Sequence, residues 1–277
     1  MRKRELKSVL AHDKGSNRVY LIQLHPDDFP DIIERLDTLV GEHDYTKIFA
    51  KVPARFAPAF LSEGYTMEAF IPGFFKGMED VLFLVKYFDA ERSRPDTSAL
   101  QAVQQVLSTP PSVGEHTPDT TFSLRPLTPA DIDSMIPVFS QVFASYPFPI
   151  FEPAFLLRSM EQEGTRYFGA YHRGQLIAIS SAECDEKAQN AEMTDFAVLP
   201  SYRGQRLALH LLAMMEKKLE QDGYLTFYTI ARLNSLSMNK TFYNSGYHYS
   251  GTLNQNTQIS GSIESMNVWY KTVKKNV

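Results

Sequence analysis

The sequence predicts an α/β protein of mixed (α+β) sheet, with a full α/β domain preceded by a smaller α/β segment of related plan. Three observations predict it. Residues 191–212, AEMTDFAVLPSYRGQRLALHLL, read as an alternating strand, a polar turn and an amphipathic helix. From residue 122 to 272, apolar periods of two and of 3.6 follow one another as strand and helix. An internal echo sets Phe60-Leu61-Ser62-Glu63-Gly64-Tyr65 against Phe242-Tyr243-Asn244-Ser245-Gly246-Tyr247, with strand pairs expected after each.

Taken in order, residues 1–18 are polar and are expected to fray. Residues 19–24 read as a strand, and His25-Pro26-Asp27-Asp28 as a helix start before residues 29–40. A strand over 45–52 and a short helix, which Pro58 limits to a turn or two and Gly64 caps, lead to a hairpin of 65–71 with 80–88. Pro95, Pro110, Pro111 and Pro118 mark a linker, with a helix over 98–107 embedded in it. The expected division is therefore 1–90, a linker over 91–120, and a domain over 121–277.

The second part opens with a strand at 122–127 and a helix over 129–146, which Pro137 should kink or split. A helix over 151–163 follows, then a hairpin of 166–172 with 175–183 across Arg173-Gly174. The stretch from 191 comes next, then a strand at 225–231, a helix over 235–243 and a closing hairpin of 247–253 with 265–272.

Composition narrows the function classes. Of 277 residues, 43% are hydrophobic and 22% charged, an ordinary globular mixture, and the net charge of −4 argues against a nucleic-acid binder. No apolar run approaches the roughly 20 residues of a membrane helix. Met1-Arg2-Lys3-Arg4 lacks the apolar core of a signal peptide, so the cytoplasm is the expected compartment. Cys184 is the one cysteine, which excludes an internal disulfide and a cysteine metal cluster. Its acidic neighbours Glu183 and Asp185 favour an inert thiol. No His/Asp/Glu grouping has metal-ligand spacing, and no metal is expected.

In residues 191–212, Met193, Asp195, Ala197 and Leu199 alternate with Glu192, Thr194, Phe196 and Val198 before Pro200 ends the strand. A turn into a helix aims backbone N–H groups and the positive end of the helix dipole at one point, an anion site suited to a pyrophosphate. Arg203 and Arg206 add charge to it.

These residues resemble motif A of the GNAT acetyltransferase superfamily, whose acetyl-CoA loop reads Q/R-x-x-G-x-G/A after a strand ending Val-x-Pro. Here Val198-Leu199-Pro200 precedes Arg203-Gly204-Gln205-Arg206-Leu207-Ala208. Arg203 and Ala208 match, and Arg206 stands where the pattern has its middle glycine. The element order over about residues 120–273 is also that of the superfamily. The resemblance implies acetyl-CoA as co-substrate, held by the backbone of Phe196, Ala197 and Val198 along the pantetheine and by residues 203–208 at the phosphates. Ala191-Glu192-Met193 resembles the Ala-Glu-hydrophobic sequence of one branch, which implies Glu192 as general base, with Asp195 as the competing carboxylate. Alternation sends Asp195 to the opposite face, so only one of the two should meet the acceptor.

Residues 234–247 resemble the later block in which an asparagine precedes a helix ending Tyr-x-x-x-Gly-Phe. Asn234 fits the cofactor-steadying asparagine, with Asn239 as the alternative. Tyr243 is the implied acid for the departing thiolate, although Phe242 holds the expected spacing. The N-terminal segment reads as a degenerate half of the same GNAT fold. Asp27 and Asp28 stand where its phosphate would sit, so one CoA per chain is expected, with the segment structural or capping the substrate.

The reading is an acetyl-CoA-dependent N-acetyltransferase on a small amine, working by direct transfer, with a homodimer as the assembly the resemblance allows. The tail from Gly251 to Lys271, containing Trp269, with Met238-Asn239 and the extra half-fold, resembles the beta-lysine N-acetyltransferases. That implies acetylation of the terminal amine of 3,6-diaminohexanoate to give a compatible solute. Asp195, Glu264 and Glu152 are the candidate acids for its spectator ammonium, and Arg158, Arg166 and Lys76 the candidate cations for its carboxylate. The alternatives are another amine, such as a polyamine, amino acid or protein, and a non-enzymatic acyl-CoA-binding module.

Overall fold

Strand β1 (Val9–Asp13) begins where polar composition predicts a frayed tail; the computed structural model describes residues 5–111, 121–259 and 261–273. Residues 9–13 are ordered by pairing, since β1 runs antiparallel to β2 (Arg18–Gln23) from Asp13↔Arg18 to Val9↔Gln23, while residues 1–4 of that stretch lie outside the described residues. Helix α1 (Ile32–His43) returns the chain over its buried stripe of Ile32, Ile33, Leu36, Leu39 and Val40. It delivers β3 (Lys47–Pro53) parallel to β2, because a parallel pair requires a crossover. Helix α2 (Ala57–Ser62) ends at Gly64, whose φ of 84° is the left-handed conformation expected of that glycine. The hairpin β4 (Thr66–Phe75) and β5 (Glu79–Tyr87) then completes a sheet of order β1-β2-β3-β5-β4.

Helix α3 (Thr97–Ser108) starts at Asp96, whose carboxylate accepts from the Ala99 N–H at 3.1 Å. It buries Ala99 and Val103 in the core of the second part, so this stretch of the expected linker is packed structure. Residues 112–120, with Pro118, lie outside the described residues.

The second part contains β6 (Phe122–Pro126), α4 (Ile132–Val142), α5 (Pro153–Glu161), β7 (Thr165–His172), β8 (Gln175–Asp185) and β9 (Asn190–Val198). Helix α6 (Leu207–Gln221), β10 (Thr226–Arg232), α7 (Leu236–Asn244), β11 (His248–Ile259) and β12 (Ser262–Thr272) follow. Pro137 sits inside α4 without ending it. The helix stops at Val142, short of the expected Tyr146, because Phe143 turns to extended backbone at φ −109°, ψ 117°. Pro147 also disfavours helix at Tyr146, which therefore lies in a loop. The sheet order is β11-β12-β10-β9-β8-β7-β6. Its run β8-β9-β10-β12-β11 repeats the plan of the first sheet strand for strand, the topological content of the Gly-Tyr echo.

The sheets pack face to face. Phe49, Ala69, Ile71, Val81, Phe83 and Val85 of the first share a core with Tyr228, Leu253, Met266 and Val268 of the second. Beside this core β4 and β11 nearly touch: a Cβ on Gly251 would lie 2.0 Å from the Glu68 carbonyl oxygen. Lys47, fully buried, reaches across from β3 to the Asn254 carbonyl at 2.5 Å and to Glu68 at 3.3 Å. Burial lowers its ammonium to about 7, with Glu68 acting in the other direction.

Candidate active site

β9 and β10 pair in parallel only at Asn190, Ala191 and Glu192, the last pair being Glu192 with Tyr228. Beyond it β10 pairs only with β12, as far as Arg232, while β9 runs on beside β8 to Val198. The two strands part at Glu192. The fork leaves a stretch of β9 backbone without a ladder partner on that side, a slot that suits an extended chain.

A bulge sits three residues past the fork. Pairing between β8 and β9 skips between Ile179 and Ser181, and Asp195 takes φ 54° within the strand. This corrects the alternation that would send Asp195 away from Glu192. Asp195 instead lines the same cavity as Glu183, the residue directly across from Glu192 on β8. The buried Asp195 carboxylate accepts from the Ser181 hydroxyl at 2.6 Å and from the Tyr146 hydroxyl. Burial raises this carboxyl, and those two hydroxyls oppose the rise.

The cavity, of about 740 Å³, lies between the two halves of the molecule. Glu183, Asp195 and Tyr228 line it from the second sheet, Lys51 from β3, and Phe74 and Lys76 from the β4–β5 hairpin. Tyr146 and Phe148 close it from the loop after α4. Glu183 is exposed, but to the cavity. Burial in that enclosure, then the Glu192 and Asp195 charges, raise its carboxyl to about 8. Burial also raises Glu192, against the Lys51 charge and the Tyr228 hydroxyl, which favour its ionised form. A buried carboxylate whose affinity for protons is raised is suited to removing one from an ammonium near neutral pH.

Lys51 was not among the residues singled out in the sequence. Its ammonium lies 5.6 Å from the Tyr20 ring centre and 6.0 Å from that of Tyr228. The available signal was a lysine inside the strand KIFAKVP, all of which is buried except Lys51 itself, which is partly exposed. Glu183, Tyr146 and Tyr228 were likewise missed.

The expected cofactor residues lie along the other side of the fork. Ala197 is fully buried, with Phe196 and Val198 partly so, which leaves their backbone as the part able to meet a ligand. Arg203, Gly204, Gln205 and Arg206 form an exposed turn; Leu207 is buried in the core and Ala208 half-buried. Gly204 has φ 81° and Arg206 φ 57°. Arg206 thus adopts the left-handed conformation that a glycine would take more easily, and the turn keeps its course. It leads into the 15-residue α6, which has no side-chain cap, so its first N–H groups point into the turn.

The later block divides differently. Asn234 is exposed in the turn before α7. Asn239 is fully buried: its amide donates to the carbonyls of Arg232 and Ser235 at 3.0 and 2.9 Å, and its oxygen accepts from Asn267 and Trp269 at 2.8 Å. Those bonds hold β10, α7 and β12 together and leave Asn239 no capacity for a cofactor, which corrects that alternative. Phe242 meets Phe196 edge-on at 5.7 Å, whereas the Tyr243 hydroxyl donates to the Leu107 carbonyl in α3 at 3.2 Å. The residue facing β9 therefore has no hydroxyl, and the acid role expected of Tyr243 finds no support.

Of the six candidates for charge recognition, Asp195 and Lys76 line the cavity. Glu264 pairs with Arg232 at 2.6 Å, Arg158 with Glu163 at 2.9 Å, and Arg166 with Asp222. Glu152 is exposed at the start of α5. Cys184 lines the cavity as a thiol pushed up to about 11 by burial, in keeping with inertness. In the N-terminal half, Asp28 accepts from the backbone N–H groups of Lys7 and Ser8 at 2.9 and 2.6 Å, so the corner that would cradle a phosphate is filled by its own carboxylate. Among the described residues no group of three or more His, Cys, Asp or Glu is placed to hold a metal ion, and no helix is long and apolar enough to cross a membrane.

Comparison with known proteins gives one family. Residues 133–247 match the acetyltransferase (GNAT) family. The beta-lysine N(6)-acetyltransferase of Methanococcus maripaludis is 38% identical over 267 residues, covering 95% of this chain and 96% of its own. The N-acetyltransferase YodP of Bacillus subtilis is 28% identical over 270 residues, 95% of each chain. The ribosomal-protein-S18-alanine N-acetyltransferase of Escherichia coli superimposes with a TM-score of 0.48 at 14% identity, over 56% of this chain and 98% of that one.

Proposed function

The chain belongs to the GNAT acetyltransferase family, and from that premise we propose that it transfers acetyl from acetyl-CoA to the terminal amine of beta-lysine. The observation that carries the acceptor is the cavity itself, which sets carboxylates (Glu183, Asp195) and the Lys76 ammonium around one space. An acceptor with two ammonium groups and one carboxylate needs both signs, since buried charges without partners are costly. The relative of 38% identity bears the name of that activity.

In this reading the pantetheine lies in the fork along residues 196–198, its pyrophosphate rests on the turn 203–206 at the start of α6, and Asn234 is the asparagine that steadies the cofactor. Glu192 is the base. An alkyl ammonium has a pKa of about 10.4, so at neutral pH it must first release a proton, here to Glu192. The nitrogen lone pair forms the bond to the thioester carbonyl carbon, and the C–S bond breaks with its electron pair leaving on sulfur. The second nitrogen proton ends on the thiolate, and the one held by Glu192 passes to solvent. The product keeps one ammonium and one carboxylate and is neutral overall, as suits a compatible solute. A cytoplasmic location belongs to the same reading, in keeping with Cys184 as a free thiol. A CoA-binding module without chemistry is the weaker alternative, because it has no use for a buried carboxylate cluster beside the fork.

Mass analysis of acetyl-CoA turnover with beta-lysine, cadaverine and spermidine tests the proposal. Beta-lysine should exceed cadaverine in kcat/KM by a factor of about 30 to several thousand, the effect of leaving a pocket cation unpaired. A panel won by cadaverine or spermidine overturns the acceptor while leaving the family standing.

A further inference from the structure

The N-terminal half reaches the reacting centre from β3 as well as from the β4–β5 hairpin. Lys51 is carried on β3 of the first sheet, yet it lines the cavity and its ammonium lies 6.0 Å from the ring of Tyr228, the residue paired with Glu192 at the fork. On the other side Tyr20 of β2 stands under it, 5.6 Å from ammonium to ring centre. Tyr20 is itself stacked on Phe49 at 4.6 Å, so the floor beneath the lysine is part of the packed core between the sheets.

Around this point the second sheet gathers three carboxylates, Glu183, Glu192 and Asp195. Glu183 and Glu192 face each other across β8 and β9, and Asp195 is turned toward them by the bulge. Asp195 has its own donors in Ser181 and Tyr146. Glu192 has the Tyr228 hydroxyl and the Ile230 backbone N–H, both neutral donors, and Lys51 is the cation acting on both glutamates. Two like charges on adjacent strands beside a partly enclosed cavity cannot both ionise readily without a counter-charge.

We propose that Lys51 is the counter-charge of the Glu192–Glu183 pair and so a positioning residue of the acyl-transfer site, making the N-terminal half a working part of the catalytic centre. The proposal rests on the reading of Glu192 as base. The groups facing the pair are Tyr20 from β2, Lys51 from β3, Asp195 from β9, Tyr228 from β10, Tyr146 from the loop after α4, and Glu163 after α5. Burial works to discharge the lysine, but Tyr20 and the Glu192 and Glu183 carboxylates outweigh it and keep it protonated. Removing Lys51 therefore leaves Glu192 among negative neighbours, and its proton affinity must rise.

The test is Lys51→Met, with Lys51→Arg as the charge-retaining control and melting curves to establish folding. In Lys51→Met the acidic limb of the kcat/KM profile should move up by about one pH unit or more. Activity should fall by at least about tenfold near pH 6.5 and recover toward the parent rate above pH 9. Lys51→Arg should restore most of the profile, and CoA affinity by calorimetry should not change. A second measurement needs no turnover: carbon NMR of glutamate-labelled protein, with Glu192→Gln assigning the resonance, should show Glu192 titrating at higher pH in Lys51→Met. A uniform loss of rate at every pH, or an unmoved Glu192 titration, overturns the proposal. So does a loss confined to beta-lysine that spares cadaverine, which would make Lys51 the acceptor's carboxylate ligand. If the parent protein acetylates no amine, the proposed function fails, while the NMR titration still reads the Lys51–Glu192 coupling.

Discussion

Glu183 and Glu192 stand directly opposite each other on neighbouring antiparallel strands, at the point where β9 and β10 part. Two charges in that relationship repel, and that repulsion adds to burial in holding the proton on Glu183 up to about 8.

The base assignment predicts a specific loss. Glu192→Gln should bind CoA as the parent does and turn over about 10²–10⁴ times more slowly at pH 7. The deficit should narrow as pH rises, because more of the acceptor is then already free amine. Steady-state rates from pH 6 to 10 measure it; full activity at pH 7 would move the base to Asp195 or Glu183.

Glu183 predicts a pH-dependent stability. Its carboxyl, ordinarily at 4.5, is raised to about 8 in the folded protein. Between those values the folded chain holds a proton that the unfolded chain has released, so its contribution to stability is present at low pH and lost as pH rises through about 8. Glu183→Gln keeps a neutral group at every pH. Its melting temperature should exceed the parent's at pH 9, with the gain shrinking toward pH 5. Equal melting across that range would mean Glu183 is not held in its protonated form.

The turn before α6 predicts a binding defect without unfolding. Gly204 has φ 81°, which proline cannot adopt, and a Cβ there would meet nothing within 4 Å. Gly204→Pro should therefore distort the turn, remove one N–H and weaken CoA binding while the protein still melts cooperatively. Unchanged affinity in calorimetry would place the phosphates elsewhere.

Tyr243→Phe separates a structural hydroxyl from a catalytic one. Losing the bond to Leu107 should cost about 0.5–1.5 kcal/mol of stability. Turnover should stay well short of the loss of about 10²–10⁴-fold that follows removal of a general acid. A loss of that size with unaltered melting would restore Tyr243 to the reaction.

Gly251 predicts how tightly the halves are joined. Its missing Cβ would fall 2.0 Å from the Glu68 carbonyl oxygen, so Gly251→Ala must push β4 and β11 apart. Chemical denaturation should show a loss of about 1–3 kcal/mol or more. Wild-type stability would mean the two sheet edges can separate freely.

The sequence by itself determined everything that depends on neighbours along the chain. The stripe Ile32, Ile33, Leu36, Leu39 and Val40 specifies α1, and the alternation from Glu192 to Thr194 specifies the start of β9, because period and face are local properties. The turn 203–206 and the Gly-Tyr echo were legible for the same reason, whereas Glu192 was singled out by its resemblance to a family motif, and its role as base is a proposal. Tertiary structure alone decided the rest. Asp195 joins the carboxylates because a bulge gives it φ 54°, and a bulge is chosen by how β9 must bend against β8. Asn239 and Tyr243 fit a motif by spacing, but their partners Trp269 and Leu107 come from elements placed by packing. Lys51 meets the Glu192 site across 141 positions of sequence because two sheets stack on Phe49, Phe83, Tyr228 and Val268. No pattern within a strand can encode that distance: burial energy brings the faces together, and only their register selects which lysine meets which carboxylate.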